Sequence, residues 1–256
     1  MEYSIVIPAY NEFDKISATL TQVVSFMRTF SGSFEVIVVD DGSKDQTCEA
    51  VSDYRKENPE VVLVKNPHKG KGFAVRTGMM RARGDLIYTS DADLAASIPE
   101  LKKLVVWIKD HDYDIVIATR EGVGAKRIGE PFYRHLMGRV FNFWVQLIAL
   151  PGINDSQCGF KLFKKSVAKE VFGMLDIYGE NTKEIGQPYV GAWDVEVLYI
   201  ARKLGYKIKE VPVVWTFVRT PRLRPINDSI HMAIDVLKVR INGLSGKYNK
   251  SAPKKK

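Results

Sequence analysis

Residues 86–94 read LIYTSDADL, and the fold turns on how this stretch is understood. An apolar run, Leu86 to Tyr88, stops at two aspartates one residue apart, Asp91 and Asp93. Residues two apart in a strand share a face, so a continued strand would align both carboxylates on one side. If the strand ends first, the carboxylates converge from a loop at its carboxyl end, where open α/β sheets bind their ligands. Paired hard oxygen ligands suit Mg²⁺ or Mn²⁺ bridging to a diphosphate. Taken alone, the same letters also describe a turn with two solvated acids. The neighbouring sequence decides between these readings.

Upstream, strand-like and helix-like runs alternate. Residues 4–9 (SIVIPA) form a short apolar run that Pro8 should end, because it donates no ladder hydrogen bond. Ile16, Leu20, Val23, Val24 and Met27 then recur at helical spacing. Residues 34–39 (FEVIVV) read as a second strand and end in Asp40-Asp41-Gly42-Ser43, a turn signal. A helix over 44–57, a strand over 61–65, a Gly/Lys loop over 66–72 and a helix to about Arg83 lead to the fourth strand, 85–90. Beyond it, 99–109 is helical and 114–119 (DIVIAT) is a fifth strand. This alternation predicts an α/β domain with a mostly parallel sheet flanked by helices. Loops carrying Glu12, Asp41 and Asp93 should then open on one rim.

After Arg120 the alternation stops. Residues 121–135 are Gly-rich and basic, and 141–150 are aromatic-rich and helical. Further helices are expected near 165–172, 192–204 and 225–241, with a strand over 207–214. No internal repeat or clean linker is evident. The 256 residues suffice for one large core, and 45% hydrophobic with 27% charged residues is ordinary for a soluble globular protein. Two cysteines, Cys48 and Cys158, fit a reducing compartment, so a cytoplasmic location is expected. The start, MEYSIVIPAYNE, lacks a basic region and the apolar core of a signal peptide. No run reaches the roughly 18–20 apolar residues that span a bilayer.

The net charge of +8 is uneven: from Arg219 onward there are ten Lys/Arg against Asp228 and Asp235. Such an excess points to phosphorylated substrates, a membrane surface or nucleic acid. No zinc-finger, RRM or KH signature supports nucleic acid, so no nucleic-acid partner is expected.

Three further segments carry chemistry. Pro8-Ala9-Tyr10-Asn11-Glu12 offers an aromatic ring, an amide and an acid to a nucleoside, or else starts a helix capped by Asn11. Asp41 in VDDGSKDQT could bond a base or ribose, while Ser43 or Asp45 caps the following helix. Lys69-Gly70-Lys71-Gly72 precedes a helix whose amino end favours a phosphate, although this is not the Walker pattern.

PAYNE, VDDGSKDQT, KGKG, GDLIYTSDADL and DSQCGFKLF, in this order and spacing, resemble the inverting nucleotide-sugar glycosyltransferases of family 2. Within that family the chain is most similar to the polyprenyl-phosphate branch, the dolichyl-phosphate β-glucosyltransferases and, next, the mannose synthases. QCGFK at 157–161 and WDVE at 193–196 tilt the likeness to the glucosyl side. The resemblance covers roughly residues 3–215. It implies a GT-A (Rossmann-like) domain over 1–218, with a nucleotide-sugar half (1–120) and a C-terminal acceptor-side elaboration (121–218). A basic amphipathic helix region (219–250) and a disordered basic tail (251–256) would follow.

The resemblance implies that Pro8, Tyr10, Glu12 and Asp41 cradle base and ribose with Asp91 nearby, and that Asp93 binds Mg²⁺ or Mn²⁺; Lys71, in the Gly/Lys loop, is a further donor-binding candidate. Mannose synthases tend to read DADLQ, with the glutamine helping to hold metal. Here that position is Ala95, so Gln157 or a water would have to substitute.

A lipid-phosphate acceptor is already anionic and needs positioning by arginines rather than a base. Arg120, Arg127, Arg134 and Arg139 are candidates, with Arg219, Arg222 and Arg224 as a second cluster. Asp194 is a candidate base or acceptor-site acid, or a structural helix cap. The expected reaction is glucosyl transfer from UDP-glucose to a polyprenyl (dolichyl) phosphate. The alternatives are a GDP-mannose donor, or an idle nucleotide-binding subunit of a membrane complex. The apolar stretch 141–148 and the terminal helix, with Lys238, Arg240 and Lys247, fit peripheral binding to the cytoplasmic face of a membrane, with room for a membrane-anchored partner subunit.

Overall fold

The apolar runs of the first half become strands and the periodic runs between them become helices. The computed structural model describes residues 1–218 and 225–249. Its first half runs β1 (Tyr3–Ala9), α1 (Phe13–Phe30), β2 (Phe34–Asp40), α2 (Thr47–Glu57), β3 (Val61–Lys65), α3 (Lys71–Arg81), β4 (Leu86–Thr89), α4 (Leu101–Lys109) and β5 (Ile115–Thr119). The second half adds β6 (Lys126–Ile128), α5 (Phe132–Ile148), β7 (Lys161–Lys164), α6 (Lys165–Gly173), α7 (Trp193–Lys203), β8 (Ile208–Pro212), β9 (Val214–Thr216) and α8 (Pro225–Leu244).

Seven strands form one sheet in the order β3-β2-β1-β4-β7-β5-β8. Every pairing is parallel except those of β7, which runs antiparallel to β4 and β5. Both faces are covered, which is why the strands read as unbroken apolar runs rather than as alternations. Val6, Ile37, Ile87 and Ile117 pack on the side of α3, α6 and α7, whereas Ile5, Val38, Tyr88 and Val116 pack on the side of α1 and α4. β6 and β9 make a separate two-stranded parallel ribbon.

The registers Ala9↔Asp40 and Val6↔Thr89 bring the carboxyl ends of β1, β2 and β4 to one rim, as the alternation predicts. The second half departs from the expectations in three places. Residues 161–164 belong to a strand, inserted antiparallel between β4 and β5. The aromatic helix starts at Phe132, well before residue 141, and residues 207–214 divide between two sheets. α8 lies against α5 and α7, with Val236, Val239 and Tyr248 fully buried. Arg219, Arg222, Arg224 and the 251–256 tail lie outside the described residues.

Candidate active site

The rim is built by two loops that cap each other. The Asn11 N–H donates to Ser43 Oγ (2.8 Å), and Lys44 N–H returns a bond to Asn11 Oδ1 (2.7 Å). Glu12 N–H donates to Thr47 Oγ1 (2.8 Å) and Phe13 N–H to Asp45 Oδ2 (3.2 Å). The first turn of α1 is therefore capped from the entry of α2, not by Asn11, the alternative the sequence left open. Asn11 itself sits at φ 50°, a left-handed conformation that asparagine tolerates. These bonds hold Tyr10 and Glu12 at a fixed offset from the end of β2.

Asp41 is the anchor of the Gly/Lys loop. Its carboxylate accepts the N–H of Lys69 (3.0 Å) and of Gly70 (2.9 Å), and Nδ1–H of His68 at 2.8 Å. Burial raises the Asp41 carboxyl above its ordinary value, and these donors hold the rise back. With one hydrogen on Nδ1, His68 stacks flat on Tyr10, rings 4.1 Å apart and 10° from parallel. Composition gave no hint of His68. A histidine within the Gly/Lys loop was the available signal.

At the end of β4, Asp91 and Asp93 face the same cavity as Lys71, whose Nζ lies 2.6 Å from Asp91 Oδ1. Burial raises the Asp93 carboxyl, and the charge of Asp91 raises it further; the Ala95 N–H at 3.1 Å and the Lys71 ammonium oppose the rise. Between Asp93 and Ala95, Leu94 is held at φ 46°, a strained conformation for a residue with a bulky side chain. Gly159, in the loop before β7, backs the carboxylate of Asp91: an added Cβ would stand 2.6 Å from Oδ1. The sequence offered Gly159 only as part of QCGFK. Ala95 lines the cavity, and its carbonyl accepts the N–H of Thr216 (2.7 Å), which ties β9 to the floor.

The candidate arginines differ sharply. Arg120 forms a bidentate pair with Asp155 (2.8 and 2.7 Å) and lies over the Trp215 ring. Arg127 is held between Glu130 (2.6 Å) and Glu121 (2.5 Å). Arg134 lies over the Phe217 ring, 5.0 Å from its centroid, and pairs with no carboxylate among the described residues. Asp194 does not line the cavity. It is buried at the start of α7, where Lys161, itself fully buried, donates to it and to the Cys158 carbonyl. Burial raises Asp194, and the charges of Lys161 and Lys71 oppose that rise.

A cavity of about 280 Å³ brings together Pro8, Tyr10, Glu12, Asp41, Lys71, Asp91, Asp93, Arg120, Arg134 and Gln157. A second, of about 260 Å³, lies between α5 and α8 and shares Arg120, Arg134 and Gln157 with the first; it contains Arg127. Ten of the sequence-derived candidates thus meet in one place, and Arg127 and Asp194 stand outside it. Among the described residues no three His, Cys, Asp or Glu side chains cluster closely enough to hold a metal by themselves.

Residues 4–172 match the model of the family described as glycosyl transferase family 2. The chain is 34% identical to the dolichyl-phosphate β-glucosyltransferase of Dictyostelium discoideum, over 95% of this chain and 75% of that protein. Identity to the human enzyme of the same name is 32%, over 96% and 77%. Among solved structures, mannosyl-3-phosphoglycerate synthase from Rubrobacter xylanophilus superposes with a TM-score of 0.66 at 18% identity, covering 100% of this chain and 79% of that one. Glucosyl-3-phosphoglycerate synthase from Mycobacterium tuberculosis, solved with Mn²⁺, UDP and phosphoglyceric acid, gives 0.63 at 18% identity, covering 98% and 80%. At that identity the structures speak for the fold, and the sequence relatives for the family. With the match extending across most of its length, the chain belongs to glycosyltransferase family 2.

Proposed function

We propose that this glycosyltransferase moves glucose from UDP-glucose to a dolichyl or related polyprenyl phosphate at the cytoplasmic face of a membrane, inverting the anomeric centre. The observation that carries the reading is one cavity that holds both a carboxylate pair beside Lys71 and Arg134, an arginine without a carboxylate partner among the described residues. The names of the sequence relatives support the acceptor and the sugar.

In this reading the nucleoside lies against Pro8, Tyr10 and Glu12, and Asp41 acts mainly by holding the loop that presents Lys71. The residues fit a divalent cation. Two crowded carboxylates, one pushed up by burial and the other's charge, are relieved by a cation, and Mg²⁺ or Mn²⁺ needs only one or two carboxylates beside substrate phosphates. Asp93, with Asp91, would hold it; when bound it neutralises charge that builds on the departing diphosphate. Gln157 is better suited to phosphate than to metal, because its buried orphan atom is the amide nitrogen, a donor.

The acceptor phosphate is ionised at neutral pH, so its oxygen attacks the anomeric carbon without a general base. Arg134 positions it from the side opposite the diphosphate, which requires inversion. Asp194, ion-paired and sealed from the cavity, is left a structural part: with Lys161 it fixes the loop that carries Gly159. The test is a panel of labelled UDP-glucose and GDP-mannose against a short polyprenyl phosphate. Glucosyl transfer from UDP-glucose is expected; transfer only from GDP-mannose would overturn the donor, and UDP binding without any turnover would overturn the reaction.

A further inference from the structure

Tyr10, Asp41 and His68 line the main cavity, and His68 touches both of the others. Its imidazole is fixed in its own plane by Asp41: Nδ1 lies 2.8 Å from Oδ2 and 2.9 Å from the main-chain carbonyl. A carbonyl only accepts, so the hydrogen sits on Nδ1. Across the face of the imidazole lies the Tyr10 ring, centroids 4.1 Å apart and planes 10° from parallel. Nε2 is buried and bonds to no described residue, so it does not help to orient the ring. The main chain is held as firmly. Ile185 N–H donates to the His68 carbonyl at 2.9 Å, and Gly42 packs so closely that a Cβ there would stand 2.9 Å from His68 N. His68 is therefore a fixed surface, and Tyr10 rests on it.

Two tasks would fit this placement: anchoring the Gly/Lys loop, or orienting Tyr10. The loop has anchors of its own, since Lys69 N–H and Gly70 N–H both donate to the Asp41 carboxylate. Anchoring also asks nothing of the ring plane, whereas the two rings are nearly parallel. Orienting Tyr10 uses both contacts: Asp41 sets the imidazole, and the imidazole sets the phenol. Tyr10 stands in the loop just beyond β1. A loop tyrosine loses side-chain freedom when a ligand stacks on it, and a ring oriented beforehand spares that cost. Every nucleobase has a face that can stack on an aromatic ring. A base entering against Tyr10 would add a third layer to a stack already in place.

We infer that His68 is a positioning residue for the donor, setting the plane of the Tyr10 ring against which the nucleobase stacks. The inference rests on the proposed nucleotide-sugar donor and adds the residue that prepares its base platform. Two variants of the full chain separate the two contacts. His68→Asn keeps an N–H for Asp41 and cannot stack; His68→Phe stacks and has no N–H. UDP affinity is read by calorimetry with Mn²⁺, beside a thermal melt. The asparagine variant should lose about twofold to tenfold in UDP affinity, the range of one aromatic pair. The phenylalanine variant should bind like the native chain, and both should melt like it. On a Tyr10→Leu background, His68→Asn should cost nothing further. The inference is overturned if the asparagine variant binds UDP as well as the native chain, or more tightly, which would mean that the imidazole occupies the place of the base. It is also overturned if phenylalanine loses as much as asparagine, if the losses at Tyr10 and His68 add, or if the asparagine variant fails to fold. A native chain that binds GDP and not UDP would strike the proposed donor alone, the variants then being read with GDP. UDP binding without glucosyl transfer would strike the reaction alone, and binding of neither nucleotide would overturn both.

Discussion

Gly159→Ala is the smallest change that should disable the site while sparing the fold. The added Cβ would lie 2.7 Å from Asp91 Cγ and closer still to both carboxylate oxygens, where ordinary contact begins at 3.4 Å, so the carboxylate must retreat by about 1 Å. Gly159 does not occupy the left-handed region, so alanine strains no backbone there. The side chain of Asp91 is 28% exposed and can swing into the cavity, which keeps the stability cost small, within about 1 kcal/mol. The same swing breaks the 2.6 Å pair with Lys71 and misplaces one of the two carboxylates facing the diphosphate. A displacement near 1 Å in a positioned catalytic group costs roughly a hundredfold in rate. The assay is kcat/KM for UDP-glucose with a soluble polyprenyl phosphate, beside a thermal melt. A variant with native kcat/KM would refute the role given to Asp91. A variant that unfolds would refute the claim that Gly159 serves the site rather than the core.

Lys161→Met should destabilise the protein by about 3–5 kcal/mol by leaving Asp194 buried without its partner. Adding Asp194→Leu should recover most of that in denaturant titrations, and a double variant no better than the single would contradict the pairing. Arg134→Ala should raise KM for the lipid phosphate about tenfold to a hundredfold, with UDP affinity unchanged by calorimetry, whereas Arg127→Ala should act mainly on stability. Burial alone would raise the Asp155 carboxyl, but the charge and bonds of Arg120 lower it below its ordinary value. A depressed folded-state value means stability present above the unfolded pKa, about 4, and lost as pH falls below it; Asp155→Asn should flatten that acid limb of a melting-temperature profile. Asp93 has the opposite sign: its raised carboxyl favours the protonated form when folded, while cation and donor binding need it ionised. UDP affinity in the presence of Mn²⁺ should therefore fall as the pH drops towards that raised value, and affinity independent of pH would count against Asp93 as a ligand.

The first half was legible because its information is local. Each strand is a short apolar run ended by an acid or a turn, and register then carries Glu12, Asp41 and Asp93 to one rim without further instruction. β7 was hidden because KLFK is too short to be told from a loop, and its antiparallel insertion depends on β4 and β5 being in place. The early turns of α5 were masked by Arg134, His135 and Gly138, which interrupt the apolar period. The arginines were the least legible part of the site. Their residue type was right for phosphate, but whether a charge is spent depends on distant partners: Asp155 for Arg120, Glu121 and Glu130 for Arg127. The capping of α1 by Thr47 and Asp45 was equally invisible, since a cap supplied from another loop leaves no trace in the helix's own sequence.

The most direct test of the whole account is the reaction itself, run with UDP-glucose, Mn²⁺ or Mg²⁺ and a polyprenyl phosphate, with the product's anomeric configuration read by NMR. A β-linked glucosyl phosphate is predicted from the native chain. It should be lost on chelation of the metal and lost in an Asp93→Asn variant that still melts like the native protein. An α-linked product, or full turnover by that variant, would contradict it.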